Sequence, residues 1–421
     1  MIPTNLITTN PRIPASVLAS NPSTPSPALA IAVSNVGHVY THLFTILYAT
    51  AVLHLPGVFD LPYGELLGLS SFGLILYGVA ALPAGWLGDR WSQVGMMVVF
   101  FIGIGAGGII TGLAETRHGL FWGLSSIGLF GAIYHPVGIA WLVACARRQG
   151  MALGINGVFG SAGTALAPVF VGVMIDHVSW RAAFIAPGVL SVATGVALLV
   201  LWRLGRVVDA RQDRSPPPSE SKGAMQRVFV VLTITMVCNG IVYSGLTNTM
   251  PKLFEQGLSA ALASSYTEIG LYVGLVIGLS SLSSVVGGWL ADRYSPRLVY
   301  LGGWILLAPT LFILSSLLGV PLLLTALLAM FFNVVFGAAE NMLVARYTPF
   351  RWRALAYGAK FVLALGIGGA TVKVAGMSFD STGNFNHLYA AFGTAALLAF
   401  AAALALPRTA DRIAQPVAQT P

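Results

Sequence analysis

Gly85-Trp86-Leu87-Gly88-Asp89-Arg90-Trp91-Ser92 returns 203 positions later as Gly288-Trp289-Leu290-Ala291-Asp292-Arg293-Tyr294-Ser295, with six of the eight positions identical. Each copy sits where one apolar run of helical length ends and another begins. A repeat whose period is half the chain means two similar halves, each with a charged hairpin between its second and third hydrophobic segments.

The composition around these hairpins is that of a membrane protein. Mean hydropathy is +0.80 and only 9% of the 421 residues are charged, against roughly 25% in a soluble domain. Spans of about 20 residues are expected at 28–53, 64–87, 93–114, 119–146, 150–175, 181–203, 227–250, 264–289, 297–317, 320–345, 354–377 and 386–407. Residues 1–27 carry six prolines and one charge, Arg12, and are expected to form a disordered tail rather than a secretory signal, which needs a basic start and a continuous apolar stretch. Segment 204–226, with Arg206, Arg211, Arg214, Pro216-Pro217-Pro218 and Lys222, reads as a linker between two six-helix halves, 28–203 and 227–407, and 408–421 as a second tail.

Charge fixes the expected orientation. With both tails and the even-numbered loops on one side, that side holds seventeen Lys and Arg residues, and the other holds four, Arg117, Arg181, Lys252 and Lys373. The basic side is expected to be cytoplasmic. A net charge of +8 spread over short loops beside apolar runs is a topology signal and not a nucleic-acid surface. Cys145 and Cys238 fall in different halves and form neither a disulfide framework nor a metal cluster.

The hairpin pattern, with Gly85, Leu87, Asp89 and Arg90 in place, resembles the signature loop of the major facilitator superfamily, and the similarity runs from about residue 28 to residue 407. The resemblance implies an all-α integral membrane protein, with twelve transmembrane helices in two pseudo-symmetric bundles that rock to give alternating access. It also implies that Gly85, Asp89 and Arg90 form a latch holding the outward-facing state, with Gly288, Asp292 and Arg293 as a weaker counterpart. Trp91-Ser92-Gln93-Val94 lacks the basic residues that usually follow, so this latch is thinner in charge. Gly163, Pro168 and Gly172 resemble part of the family's antiporter motif, with Ala167 and Val171 replacing two of its glycines. Gly270, Gly274 and Gly278 in span 8 and Gly150 and Gly154 in span 5 are spaced for close helix approach. The resemblance implies that these two spans meet across the halves.

Polar groups inside spans are costly and therefore informative. Asn35, His38 and His42 share one face of span 1, and at 1.5 Å per residue the two histidines lie roughly 15–21 Å from the expected cytoplasmic end. Tyr134 and His135 in span 4, Asn239 and Tyr243 in span 7, and Asn333 in span 10 fall at similar depth. The resemblance implies that spans 1, 4, 7 and 10 line the central cavity. Glu340 and Lys360 are embedded charges of opposite sign at matched depth in spans 10 and 11, arranged either as a structural pair or as a proton- or substrate-responsive switch. His38 and His42 have the spacing of a metal pair, but no cysteine or carboxylate neighbours them in span 1, so no metal is expected there. Gly103-Ile104-Gly105-Ala106-Gly107-Gly108 lies inside span 3 without a preceding strand and is not a dinucleotide loop.

No constellation suggests an enzyme, and no cofactor is expected. The expectation is a secondary active transporter of a bacterial inner membrane, monomeric in the bilayer, with both termini cytoplasmic. H⁺ is the expected coupling ion, carried by His38, His42, His135 or Glu340. Three histidines and a lysine against one glutamate in the spans point to a small organic anion or phosphonate-like compound, and the antiporter-like motif to exchange or to efflux of such an anion or a drug. Tyr134-His135-Pro136 and Arg346-Tyr347-Thr348-Pro349 look most like the fosmidomycin-resistance group of efflux proteins. The alternatives are an uptake permease for a carboxylate or another metabolite, and a non-transporting sensor or assembly factor on the same fold.

Overall fold

The fold is taken from a computed structural model that describes residues 25–210, 222–348 and 362–407. Its long helices are α1 (Pro27–Ala51), α2 (Tyr63–Arg90), α3 (Gln93–Gly112), α4 (Arg117–Cys145), α5 (Gln149–His177), α6 (Ala182–Arg203), α7 (Met225–Gly257), α8 (Tyr266–Arg293), α9 (Pro296–Leu314), α10 (Gly319–Val344) and α12 (Asn386–Leu404), each long and apolar enough to cross a membrane. The helix α11 (Ile367–Thr382) is preceded by a π-helical turn at Val362–Gly366. The start of the expected eleventh span lies outside the described residues, as does Lys360.

Helical backbone satisfies its own hydrogen bonds in a medium without water, and the sequence supplies the starts. Ser92 caps α3 by accepting from Gly95 N at 2.9 Å. Ser265 and Glu268 form a capping box at α8. Ser295 caps α9 with Pro296 in its first turn. Gly383 ends α11 at φ +71°, a conformation that favours glycine.

The two sides of the molecule differ in how far they are closed. On the face opposite the repeated hairpins, here the far face, α2 meets α11 and α5 meets α8. Gly64 N donates to Asp380 Oδ1 at 2.7 Å, and the Tyr63 and Phe379 rings lie 5.1 Å apart. Lys252 Nζ sits 5.2 Å from the Tyr63 ring and also pairs with Glu255. Asp176 Oδ2 accepts from Thr267 N at 2.7 Å and from Thr267 Oγ1 at 2.6 Å. A Cβ on Gly270 or Gly172 would collide with backbone of the opposing helix, so these glycines carry the closest approach.

Toward the hairpin face the same α5–α8 pair diverges. Gly278 first meets a neighbour, Ala165 Cβ, at 3.5 Å, and nothing lies within 4 Å of a Cβ on Gly150, Gly154 or Gly157. The expectation that Gly150 and Gly154 pack against span 8 is therefore corrected for this conformation: the contact is made instead by α5 from Ala165 onward. Among the described residues the halves are joined at the far face; toward the hairpins α5 and α8 part, while α2 still meets the π-turn before α11 at Gly78.

Among the described residues, the glycines of each hairpin pack within their own half. A Cβ on Gly85 would meet Pro136 at 3.1 Å and one on Gly88 would meet Val137 at 2.8 Å, which joins the end of α2 to α4. In the second copy Gly287 packs on the Val335 backbone while Gly288 has open space, so the close-approach glycine is one residue earlier than the repeat suggests. Arg90 stacks on Trp86 at 4.9 Å and Arg293 on Trp289 at 5.6 Å.

Candidate functional site

Three histidines from two helices converge in the first half. His38 and His42, one turn apart on α1, place their Nε2 atoms 3.2 Å from each other. His135 comes from a π-helical turn of α4, Tyr134–Gly138. Pro136 sits inside that turn and lacks an N–H for the helical ladder, and π-turns of this kind re-aim side chains. The His135 ring lies 5.4 Å from both other imidazoles. Ring nitrogens of all three residues lie within 4.8 Å of one another.

A polar shell holds the first imidazole. His38 Nδ1 lies 2.7 Å from the backbone carbonyl of Asn156 on α5. A ring nitrogen facing a carbonyl must donate, so Nδ1 carries the hydrogen and Nε2 of neutral His38 is left as an acceptor. Asn156 Nδ2 donates to Asn35 Oδ1 at 2.9 Å and to Tyr134 Oη at 2.8 Å. The Tyr134 ring stacks on His38 with centroids 4.9 Å apart. Ser34 Oγ donates to the Gly138 carbonyl at 2.8 Å, tying α1 to the turn that carries His135. A Cβ on Gly160 would come within 2.6 Å of both Cε1 and Nε2 of His38, so glycine at 160 is what admits this ring. Tyr77 of α2 completes the surround, bonded to Thr41 Oγ1 at 2.7 Å with its ring 6.2 Å from His135.

A cavity of about 180 Å³ opens beside the histidines. His38, His42, Gly160, Ser161 and Thr164 wall it from the first half, and Tyr243, Ile277, Ser281, Met330 and Val334 from the second. It therefore lies between the halves, on α1, α5, α7, α8 and α10. The expected lining by spans 1, 4, 7 and 10 is corrected in part, because α5 and α8 supply wall and α4 does not.

The remaining expected residues lie apart from that wall. Asn239 on α7 accepts from Asn333 Nδ2 on α10 at 3.1 Å. Asn35 and Asn239 are 204 positions apart, so both halves bond a first-helix amide to a second amide. Glu340 is 1% exposed and accepts from Tyr300 Oη at 2.9 Å, which makes a neighbour on α9 part of its setting. Its expected pairing with Lys360 lies outside the described residues. Asn156, Tyr77 and Tyr300 were not anticipated. The available signal was an amide or a phenol inside an otherwise apolar, glycine-rich span.

Comparison with known proteins agrees with this architecture. The family model of the Major Facilitator Superfamily matches residues 36–281 and 253–421. The chain is 33% identical over 175 residues to the tetracenomycin C resistance and export protein of Streptomyces glaucescens, covering 39% of this chain and 29% of that one. It is 25% identical over 202 residues to a multidrug efflux pump of Mycolicibacterium smegmatis, covering 45% of this chain and 38% of that one. The match thus spans well under half the length of these curated relatives. Among solved structures, a D-xylose-proton symporter superposes with a TM-score of 0.70 at 15% identity, covering 90% of this chain and 97% of that one. A POT family transporter in complex with a thioalcohol conjugated peptide gives a TM-score of 0.74 at 12% identity, covering 93% and 99%. At such identities the superpositions speak for the fold alone. Two halves related by a 203-residue repeat, a cavity between them and a family model matching most of the chain agree: this multi-pass membrane protein belongs to the Major Facilitator Superfamily.

Proposed function

We propose that the chain is a secondary active transporter that carries a small organic solute, leaning to an anion or a drug, outward across a bacterial inner membrane against inward proton flow. The observation that carries this reading is the cavity between the halves, with the halves tied together on the far face and α5 parted from α8 toward the hairpins. Alternating access needs a site that one end-on closure can hide from one side at a time. The seventeen-to-four basic asymmetry makes the hairpin face cytoplasmic, so the conformation is inward-open and ready to load from the cytoplasm. Efflux is favoured by the two curated relatives named for export and efflux, and by the resemblance of Tyr134-His135-Pro136 to the fosmidomycin-resistance group.

Proton coupling is assigned to His38, His42 and His135. Imidazole changes charge near neutrality, and no carboxylate is among the residues that wall the cavity. Groups facing the cluster are Tyr77 from α2, Tyr134 from α4, Asn156 from α5 and Tyr243 from α7 across the cavity. A proton on this cluster places charge where water is scarce, and a bound anion offsets it, which links solute binding to proton binding.

The test is flux in proteoliposomes against a compound panel, with and without an imposed pH gradient. Solute accumulation that follows the gradient is expected. Flux that ignores the gradient overturns the coupling, and absence of flux for every compound class favours a non-transporting role.

A further inference from the structure

The three imidazoles match a second chemistry. Four-coordinate zinc and its neighbours take nitrogen at about 2.0–2.1 Å, which for a tetrahedron sets ligand nitrogens about 3.3 Å apart. The Nε2 atoms of His38 and His42 already stand 3.2 Å apart, and the third ring nitrogen lies within 4.8 Å of them. Closing that last gap needs a movement of about 1.5 Å against the tetrahedral spacing, within reach of a side-chain rotation of His135.

The surround has the features of an outer shell. Metal-binding histidines commonly donate their other ring nitrogen to a carbonyl, which fixes ring and tautomer. His38 does this through Nδ1 to Asn156, and Asn156 is itself anchored by Asn35 and Tyr134. An N–H···N bond between His42 and His38 accounts for the 3.2 Å spacing on its own. It does not account for a third imidazole brought edge-on to both.

We propose that His38, His42 and His135 form a three-imidazole site for a divalent first-row transition-metal ion. Its open coordination position faces the cavity, where an anionic group of the carried solute completes the shell. Imidazole-only ligation suits zinc, nickel, cobalt and copper and does not suit magnesium or calcium, which require oxygen. Metal and coupling proton compete for the same ring nitrogens; with the metal bound, three neutral ligands leave a double positive charge between the halves, and a low-dielectric setting calls for an anion to balance it. The solute class is therefore a small organic anion able to chelate a metal. This inference rests on the reading of the cavity as the solute site.

Cobalt(II) is the probe, added to the purified full chain without a histidine tag. The wild type should bind one equivalent and show the visible d–d bands of a four-coordinate nitrogen site, with zinc displacing the cobalt. His42→Ala and His135→Ala should weaken binding at least tenfold, while the exposed-surface control His118→Gln binds as wild type. His42→Cys should keep binding and add a sulfur-to-cobalt charge-transfer band, an outcome that a misfolded variant does not give. Equal cobalt affinity in wild type, His42→Ala and His135→Ala overturns the site. Undiminished solute flux in chelator-treated liposomes overturns the metal-linked solute class and leaves the transport reading standing. Cobalt binding as expected in a protein that moves no solute upholds the site and overturns the transport reading instead.

Discussion

At the scale of single residues, Gly160 shows how a missing side chain builds a site. The His38 ring occupies the space a Cβ at 160 would need, with two ring atoms at 2.6 Å. Gly160→Ala should therefore push His38 off Asn156, at a strain cost of about 1–3 kcal/mol. The expected outcome is membrane insertion like wild type with a severalfold loss of flux; wild-type flux in Gly160→Ala would show that the ring position is not used. His135 gives the complementary case. His135→Gln keeps a polar side chain and removes a group able to take up a proton, so the pH profile of transport should flatten more than binding at high pH falls. A fully retained pH dependence would move the coupling to Glu340, whose carboxylate lies buried against Tyr300. The sequence made His38, His42 and His135 legible because a buried imidazole stands out in an apolar span. Asn156 escaped notice because its role depends on α5 crossing α1 beside His38, a contact that no local pattern encodes.

Among the helices, the far face is closed by one device used twice. Asp176 at the end of α5 accepts from the first turn of α8, and Asp380 near the end of α11 accepts from the first turn of α2. The two carboxylates are 204 positions apart, and their partners Gly64 and Thr267 are 203 apart. Both contacts join one half to the other. The spacing is present in the sequence, but the conspicuous repeat, the hairpin, marks the opposite end of the same helices. Gly150 and Gly154 show the reverse limit: regular glycine spacing marks a face fit for close packing without saying which end of it is in contact. A carboxylate at a helix N-terminus contributes about 0.3–1 kcal/mol, so removing both should shift the population by roughly 3–30-fold toward far-face opening. In Asp176→Ala/Asp380→Ala, spin-label distances across the far-face ends of α2 and α11 should lengthen. Unchanged distance distributions would mean that the aromatic and glycine contacts hold this face by themselves.

For the whole molecule, the apolar spans were readable because membrane insertion imposes length and hydropathy on each segment. Which conformation the chain adopts was not, because the two access states share one hydrophobic pattern and differ in contacts between halves. That difference can be read from outside. Gly57 and Gly154 both have open space where a side chain would go, so each accepts a cysteine once Cys145 and Cys238 are changed to serine. Gly57 lies in the short far-face helix Pro56–Phe59 after α1, and Gly154 lies on α5 where it parts from α8 toward the hairpins. With the hairpin face cytoplasmic, an impermeant thiol reagent on intact cells should label Gly57→Cys and spare Gly154→Cys, and inverted vesicles should reverse the pattern. Adding Asp89→Asn carries the test to the latch. If Asp89 stabilises the opposite, outward-facing state, its loss leaves Gly154→Cys labelled at least as fast in inverted vesicles while flux falls. Labelling of Gly154→Cys from outside intact cells would overturn the orientation, and wild-type flux in Asp89→Asn would reduce the repeated hairpins to topological anchors.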